Sequence, residues 1–310
     1  MSTPRPQQTE ASAPAPAPAD GPTHDNPGGL APVPVRPAGF GDALRSEWTK
    51  IRSVRSTLWT LGVMLIVVVG IGLLTAWGLN DSAWVGMPLL APGLFGIMLG
   101  QVCVLTLGVL VISSEYGTGM IRATFTACPR RSRVLTAKAV VFFLLSFVAT
   151  AVACTVTALV NWWVLGDQKV PPFLRGEAAG RFEDSVKDGR LIATTGEWLG
   201  ATVGPALYVA LLGLLALAVG ALLRHSAGAV TTMLGVVLMP LLLALFMQSA
   251  SLKPVQEKLI EYSALNALAS FYRIPMSDGS GNGWDMLGIL AAVTAVVLGG
   301  AYALIAKRDV

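Results

Sequence analysis

Charge is what this sequence lacks most. Of its 310 residues only 13% are Asp, Glu, Lys or Arg, while 54% are hydrophobic; an ordinary soluble domain carries about 25% charged residues. So large a deficit means that much of the chain never meets water, because buried charge is tolerated only when it is paired. Histidine is almost missing: His24 and His225 are the only two, and both fall outside the long apolar runs, which leaves little scope for imidazole chemistry. The three cysteines, Cys103, Cys128 and Cys154, have no spacing that reads as a disulfide framework or a metal site. There is no Gly-x-x-x-x-Gly-Lys-Ser/Thr phosphate loop, no His-Glu-x-x-His pair and no Gly-x-Ser-x-Gly elbow. The expectation is a chain that is not an enzyme, with no catalytic, cofactor-binding or metal-binding residues of its own.

Uncharged length is present in abundance. Six stretches, Leu58–Leu79, Leu89–Ile112, Ala139–Leu165, Leu199–Leu223, Ala227–Ala250 and Met286–Ala306, contain no Asp, Glu, Lys, Arg or His. Each exceeds the roughly 20 helical residues needed to cross a bilayer's hydrocarbon core. Backbone amides in lipid must be satisfied within their own segment, so these runs predict helices. The roughly ten-residue alternating strands of an outer-membrane barrel do not occur. The fold class expected is all-α, a polytopic membrane protein with six transmembrane helices. Trp59, Trp77, Trp162, Trp163, Trp198 and Trp284 fall at the ends of these runs, where indole rings favour the lipid–water interface. Pro205 and Pro240 mark expected kinks in the fourth and fifth spans.

Residues 1–39 stand apart. They hold ten of the 19 prolines, in runs such as Ala13-Pro14-Ala15-Pro16. A segment of this composition buries too little apolar area to offset its ordering entropy, so a disordered, partly polyproline II tail is expected. It has no apolar core like that of a signal peptide, so the first span is expected to act as its own insertion signal. The membrane domain then occupies residues 40–310.

Lysine and arginine set the expected orientation. Arg45, Lys50, Arg52 and Arg55 precede the first span. Arg122, Arg130, Arg131, Arg133 and Lys138 lie between the second and third, and Arg224, Lys307 and Arg308 share that side. The opposite loops are longer, carry fewer basic residues and accompany them with more acidic ones. Positive-inside reasoning places both termini in the cytoplasm.

Two cytoplasmic segments have further character. Over Gly41–Thr57, Leu44, Trp48, Ile51 and Leu58 recur at helical spacing with basic residues between them, and Asp42 is placed to cap the helix. This reads either as a positive-inside anchor or as an interfacial elbow helix that slides as the bundle changes shape. Over Ser113–Lys138, a turn at Gly117–Gly119 leads into a short helix of Thr118–Ala127 that breaks before Pro129, with Ile121 and Phe125 on one face and Arg122 beside them. On chemistry alone, a docking helix for a cytoplasmic partner and a basic loop that fixes topology are equally served.

Together with Glu47-Trp48-Thr49-Lys50-Ile51-Arg52-Ser53 and the six-span layout, this second segment resembles the permease subunits of bacterial type-2 ABC exporters. The residues that fit that pattern are Glu115, Gly117, Thr118, Arg122, Pro129, Arg130, Arg131 and Lys138. The resemblance spans about residues 41–310 and is strongest over 113–138. It implies a cytoplasmic coupling helix, with Glu115, Gly117, Thr118, Ile121, Arg122 and Phe125 docking into a separate ABC ATP-binding subunit that holds the ATP and magnesium. It implies a second permease copy or homologue as partner, in a homodimer or heterodimer within a bacterial cytoplasmic membrane. It also implies a substrate path along the second and fifth spans, with Gln101, Met233, Met239, Met247 and Gln248 as candidates, although helix packing is the better account of any single one of them.

Val255–Tyr272, with Leu259, Tyr262, Leu265 and Leu268 at helical spacing, resembles the short re-entrant helices that precede the last span in that family; a surface amphipathic helix is the other reading. Gly166–Trp198 reads as a solvated, charge-mixed loop. No feature points to nucleic acid. Ion-coupled carriers place ionisable residues within the membrane despite a penalty of roughly 2.5–3.5 kcal/mol each, and none falls inside the six runs. The remaining alternative to an exporter subunit is a non-transporting membrane scaffold or sensor. Neither the transported substrate nor the role of the Pro-rich tail or of the 166–198 loop is encoded in any recognisable pattern.

Overall fold

A computed structural model describes residues 39–80, 86–127, 131–170, 185–247, 249–274, 276 and 283–307. The chain divides into two units, Met1–Pro37 and Ala38–Val310. The expected disordered tail lies outside the described residues, so everything that follows concerns the second unit.

That unit is all-α. Six helices are long and apolar enough to cross a membrane: α2 (Arg55–Asn80), α3 (Gly93–Gly117), α5 (Arg131–Leu165), α6 (Thr195–Leu223), α7 (Ser226–Phe246) and α10 (Gly283–Lys307). The protein is a multi-pass membrane protein. Four shorter helices are found among the described residues: α1 (Phe40–Ser53) before the first span, α4 (Met120–Ala127) between α3 and α5, and α8 (Lys253–Glu261) with α9 (Ala264–Phe271) ahead of the last span. The only strands among the described residues are β1 (Val186–Lys187) and β2 (Arg190–Leu191), an antiparallel two-residue hairpin in the loop before α6.

The bundle is built around α3 and α6, which bury more of their surface than the other spans and pack most extensively on each other. Glycine makes that approach possible. A Cβ on Gly108 would collide with the backbone carbonyl of Gly213 in α6, and a Cβ on Gly96 with the carbonyl of Val68 in α2. The Gly96–Gly100 pair therefore serves packing inside this bundle, the close-contact use of small residues. Pro205 is accommodated within α6 for a visible reason. It has no N–H to offer the Ala201 carbonyl one turn earlier, and the Tyr272 hydroxyl donates to that carbonyl instead (3.3 Å).

Several boundaries differ from the expectations. α3 and α5 run beyond the apolar stretches, to Gly117 and back to Arg131. α7 ends at Phe246 rather than at residue 250. Asp42 is not the N-cap of α1: Gly39 holds that position, and its N–H donates to the Asp42 carboxylate at 2.8 Å. The segment expected to resemble short re-entrant helices forms two, α8 and α9, divided at Tyr262–Ser263, where the Ser263 hydroxyl accepts from the Asn266 N–H and starts α9. The break rotates Tyr262 out to 55% exposure while Leu268 is fully buried, so the expected stripe does not share one face. The 166–198 loop is not wholly solvated either. Glu197, at the start of α6, is buried, accepts from the Thr194 N–H and Ser185 hydroxyl, and faces Arg273.

Contacts at one end of the bundle join the start of α5 to the end of α10: Arg131 donates to the Ile305 carbonyl, and the Thr136 and Tyr302 hydroxyls lie 2.8 Å apart. α1 and α4 belong to this end, called here the elbow end. From the Lys/Arg distribution this end is expected to face the cytoplasm. Ser132 is exposed there, and Lys187 is exposed on the opposite hairpin; Ser185 beside it is fully buried and unsuitable as a reporter. With the native cysteines replaced, a cysteine at 187 is expected to react with a membrane-impermeant maleimide in whole cells, and one at 132 to be spared. Reaction at 132 from outside would invert the assigned topology.

Candidate functional site

The elbow forms because helix propagation stops for one residue. Val54 is extended (φ −81°, ψ 107°), and α2 begins at the next position. α1 therefore lies against the bundle at its own angle, packing on α5 and α2. Its buried residues are Glu47 and Ile51, one helical turn apart, while Trp48 is 45% exposed. The inward face of this amphipathic helix thus carries a carboxylate, and the aromatic residue points outward.

Glu47 meets two lysines, Lys50 on its own helix and Lys138 from α5, and both also reach Glu115. Lys138, two turns into α5, is 2% exposed and places its Nζ 2.6 Å from Glu47 Oε2 and 2.9 Å from Glu115 Oε1. Glu115, in the last turn of α3, is also buried. Lys50 completes the cluster: its Nζ is 2.8 Å from Glu47 Oε1, 3.2 Å from Glu115 Oε1 and 3.4 Å from the Thr124 hydroxyl on α4. Two carboxylates and two ammonium groups thus bind α1, α3, α4 and α5 together. Roughly 33 Å of helix separates Gly93 from Glu115 at 1.5 Å per residue, about the hydrocarbon thickness of a bilayer. The cluster accordingly sits at the membrane edge and not at mid-depth.

Burial alone would raise the Glu47 carboxyl. The Lys138 ammonium and the hydrogen bonds from Lys138 and Lys50 outweigh it and hold this acid below its ordinary value of 4.5. Lys50 is the converse: burial would lower it, but the hydrogen bond and charge of Glu47, followed by those of Glu115, raise it above its ordinary 10.5.

The short helix α4 is reached by a sharp turn. The Thr118 backbone N–H and side-chain hydroxyl both close onto the Ser114 carbonyl (3.0 and 2.8 Å), ending α3. Gly119 follows at φ +71°, a conformation in which a side chain would be strained. Within α4, Ile121 is 4% exposed and Met120 is 49% exposed.

The sequence-derived candidates are therefore redistributed. Glu115 does not open the short helix; it belongs to α3, is buried, and its Oε1 is paired with Lys50 and Lys138. Gly117 ends α3, Thr118 caps it, and Ile121 packs inward. The side chains of Arg122 and Phe125 lie outside the described residues, as does Gln248. The substrate-path candidates differ widely in burial. Gln101 is 5% exposed and donates to the Met98 carbonyl (3.0 Å), Met233 is 1% exposed, and Met239 is 51% exposed on the bundle's exterior. Met247 lies just past the end of α7.

The sequence places Glu47 and Lys50 in an anchor or elbow helix and Lys138 in a basic loop, and all three within the stretches that carry the family resemblance, but it does not pair them. A signal for them exists in the sequence. Glu47 sits one turn before Ile51 on the apolar side of α1, and Lys138 directly abuts the Ala139–Leu165 run. A charge pressed against apolar residues at both places calls for a partner of opposite sign.

Lys138→Met leaves two buried carboxylates with only the partly exposed Lys50. Loss of one partner of a buried pair costs about 3–5 kcal/mol, so this variant is expected to melt several degrees lower in detergent. Adding Glu47→Gln and Glu115→Gln is expected to recover most of the loss; an unchanged melting temperature in the single variant contradicts the cluster's role. The pH dependence follows from the two shifts. A lowered acid contributes stability that is complete above its ordinary value and lost as pH falls through its folded value; a raised base contributes stability that is complete below its ordinary value and lost as pH rises through its folded value. Melting temperature should therefore be flat between about pH 5 and 10 and fall on both sides, and Glu47→Gln should flatten the acid limb.

Compared with models of known protein families and with curated proteins, the chain matches none.

Proposed function

We propose that this protein is the membrane-spanning permease subunit of a type-2 ABC exporter, working in a bacterial cytoplasmic membrane with both termini in the cytoplasm. The observation that carries the reading is the ionic cluster beneath the bundle. A short helix that takes up force from a cytoplasmic ATPase needs a link to the spans, and the Thr124 hydroxyl of α4 accepts from Lys50 (3.4 Å), which pairs with Glu47 and Glu115, while Lys138 carries the connection into α5. Buried, paired charges transmit displacement because pulling a partner away exposes an uncompensated charge.

The placement of the cluster also supports an external energy source. Its acids lie at the membrane edge and are already engaged by lysines, an arrangement unsuited to loading a proton at mid-membrane. In this reading α4 seats in a groove of an ATP-binding subunit that supplies the nucleotide site, and a second permease copy or homologue completes the path. Arg122 and Phe125 are the α4 residues proposed to meet that subunit; Met120, exposed on the same helix, joins them.

The purified chain alone is expected not to hydrolyse ATP. Vesicles holding it with its ATP-binding partner should transport on addition of ATP, continue when the proton gradient is collapsed, and stop when the partner's phosphate-loop lysine is replaced. Arg122→Glu should reduce co-purification of the ATPase on the order of tenfold without affecting membrane insertion. Gradient-driven transport by the chain alone defeats the exporter reading, and a complete lack of transport with every ATP-binding partner leaves a scaffold.

A further inference from the structure

Between the elbow and α3 lies a cleft of about 320 Å³ with a mixed lining. α3 contributes Leu107, Leu110 and Val111, and α4 adds Met120. The elbow and the start of α2 contribute hydroxyls, on Ser53, Ser56, Thr57 and Thr60, and Ser114 of α3 adds a fifth. Val54, Leu110 and Met120 are 46%, 38% and 49% exposed, which leaves the cleft open past apolar residues. Leu107 lies about 12 Å of helix from Glu115, so the cleft runs from the membrane edge into the acyl layer.

The groups left without partners decide what fits. Lys50 has three donors and meets three acceptors, on Glu47, Glu115 and Thr124, so its ammonium is committed. Ser53 and Thr60 donate to the carbonyls of Lys50 and Ser56. The hydroxyls of Ser56, Thr57 and Ser114 have no hydrogen-bond partner in the protein. Thr57 is the informative one. It is only 4% exposed, yet its free hydroxyl is not sealed away as Glu115 Oε2 is. It also stands at the start of α2, and the first amides of a helix lack an intrahelical acceptor. The Thr57 amide closes onto the Val54 carbonyl (3.1 Å), but those of Arg55 and Ser56 stay open. An N–H can only donate, and a helix start favours negative charge, so these groups call for an anion. The four charges of the ionic cluster cancel. Arg52 and Arg55, exposed on either side of Ser53 and Val54, pair with no carboxylate and leave the elbow positive.

We infer that this cleft binds the head of an anionic phospholipid, with its phosphate at the start of α2 on the Arg55 and Ser56 amides and the Thr57 hydroxyl. Arg52 and Arg55 supply the countercharge, and an acyl chain leaves past Leu110. The volume is at the small end of ligand sites, enough for phosphate and glycerol, while the chains stay in the bilayer. A zwitterionic head would set its ammonium against two unpaired guanidinium groups, so a net negative head is preferred. The inference does not depend on the exporter reading. It requires only that the elbow end meet a membrane surface, and it holds equally for a scaffold.

The test uses two photoreactive lipids with the same acyl chain, bearing a diazirine close to the head, one a phosphatidylglycerol and the other a phosphatidylcholine. Each is doped into phosphatidylcholine nanodiscs holding the full chain, and labelled peptides are mapped after irradiation. The phosphatidylglycerol probe is expected to label the Val54–Thr60 and Leu107–Met120 segments saturably. Its labelling should exceed that of the phosphatidylcholine probe on the order of tenfold, the effect of two arginines beside an anionic head. Unlabelled phosphatidylglycerol should displace it, and inorganic phosphate at the same ionic strength should not. Arg52→Gln with Arg55→Gln should bring the two probes to within about twofold. Thr57→Val, which keeps the buried shape, should weaken phosphatidylglycerol labelling about fivefold. Leu110→Trp should reduce labelling by both probes, and Leu144→Trp, on another exposed face, should change neither. Equal labelling by the two probes in the unaltered chain overturns the charge assignment. Displacement by inorganic phosphate overturns the lipid in favour of a free anion. Non-saturable labelling spread over all exposed faces and indifferent to Leu110→Trp overturns the site.

Discussion

Lys138 is the point on which the elbow end of this protein depends. A buried ammonium group without partners is among the most costly things a fold can contain, so its neighbours are constrained in turn. α3 has to continue past the apolar stretch far enough to deliver Glu115, and α1 has to turn its Glu47 inward. Each carboxylate would be equally costly without the lysine. The four elements are thus mutually required, and α1, whose other surface is mostly exposed, stays on the bundle through that requirement as much as through Ile51. Such a cluster contributes little net stability compared with an apolar equivalent; its effect is to make one relative placement of α1, α3 and α5 much better than its neighbours.

The six spans were legible because lipid imposes a single rule that leaves a long, uncharged trace. Their ends were less so. Residues Arg131–Lys138 and Ser113–Gly117 look like loop by polarity, yet they continue their helices because tertiary ion pairs repay the burial of charge. The break at Tyr262–Ser263 was hidden for a different reason. The apolar spacing of Leu259, Tyr262, Leu265 and Leu268 is correct for one continuous helix, and the capping serine that divides it is a local signal inside that period.

The candidate site was half legible. Glu115 could be singled out, but with a surface role, because its partners are 23 and 65 residues away. Glu47 and Lys138 lie 91 residues apart, and no periodicity links them. What the sequence did show was the cost: an acid on the apolar side of α1 and a base at the edge of an apolar run. Reading such costs as demands for a partner is the step that pattern recognition omits. The substrate-path candidates carry less directional information still. Methionine and glutamine in an apolar helix are compatible with any face, so their presence does not encode direction.

The unequal lengths of the spans carry a consequence of their own. α5 has 35 residues and α7 has 21, or roughly 52 and 32 Å of helix, facing a hydrocarbon layer of about 30 Å. α5 has a surplus that it can take up by overhang or tilt, and its overhang carries Lys138 and the arginines at its start. α7 has no slack at all. A thicker bilayer would strain α7 first, and a thinner one would change the inclination of α5. The same helix that anchors the ionic cluster would then report the thickness of its surroundings to the elbow, making the lipid composition of the membrane a mechanical input to the protein.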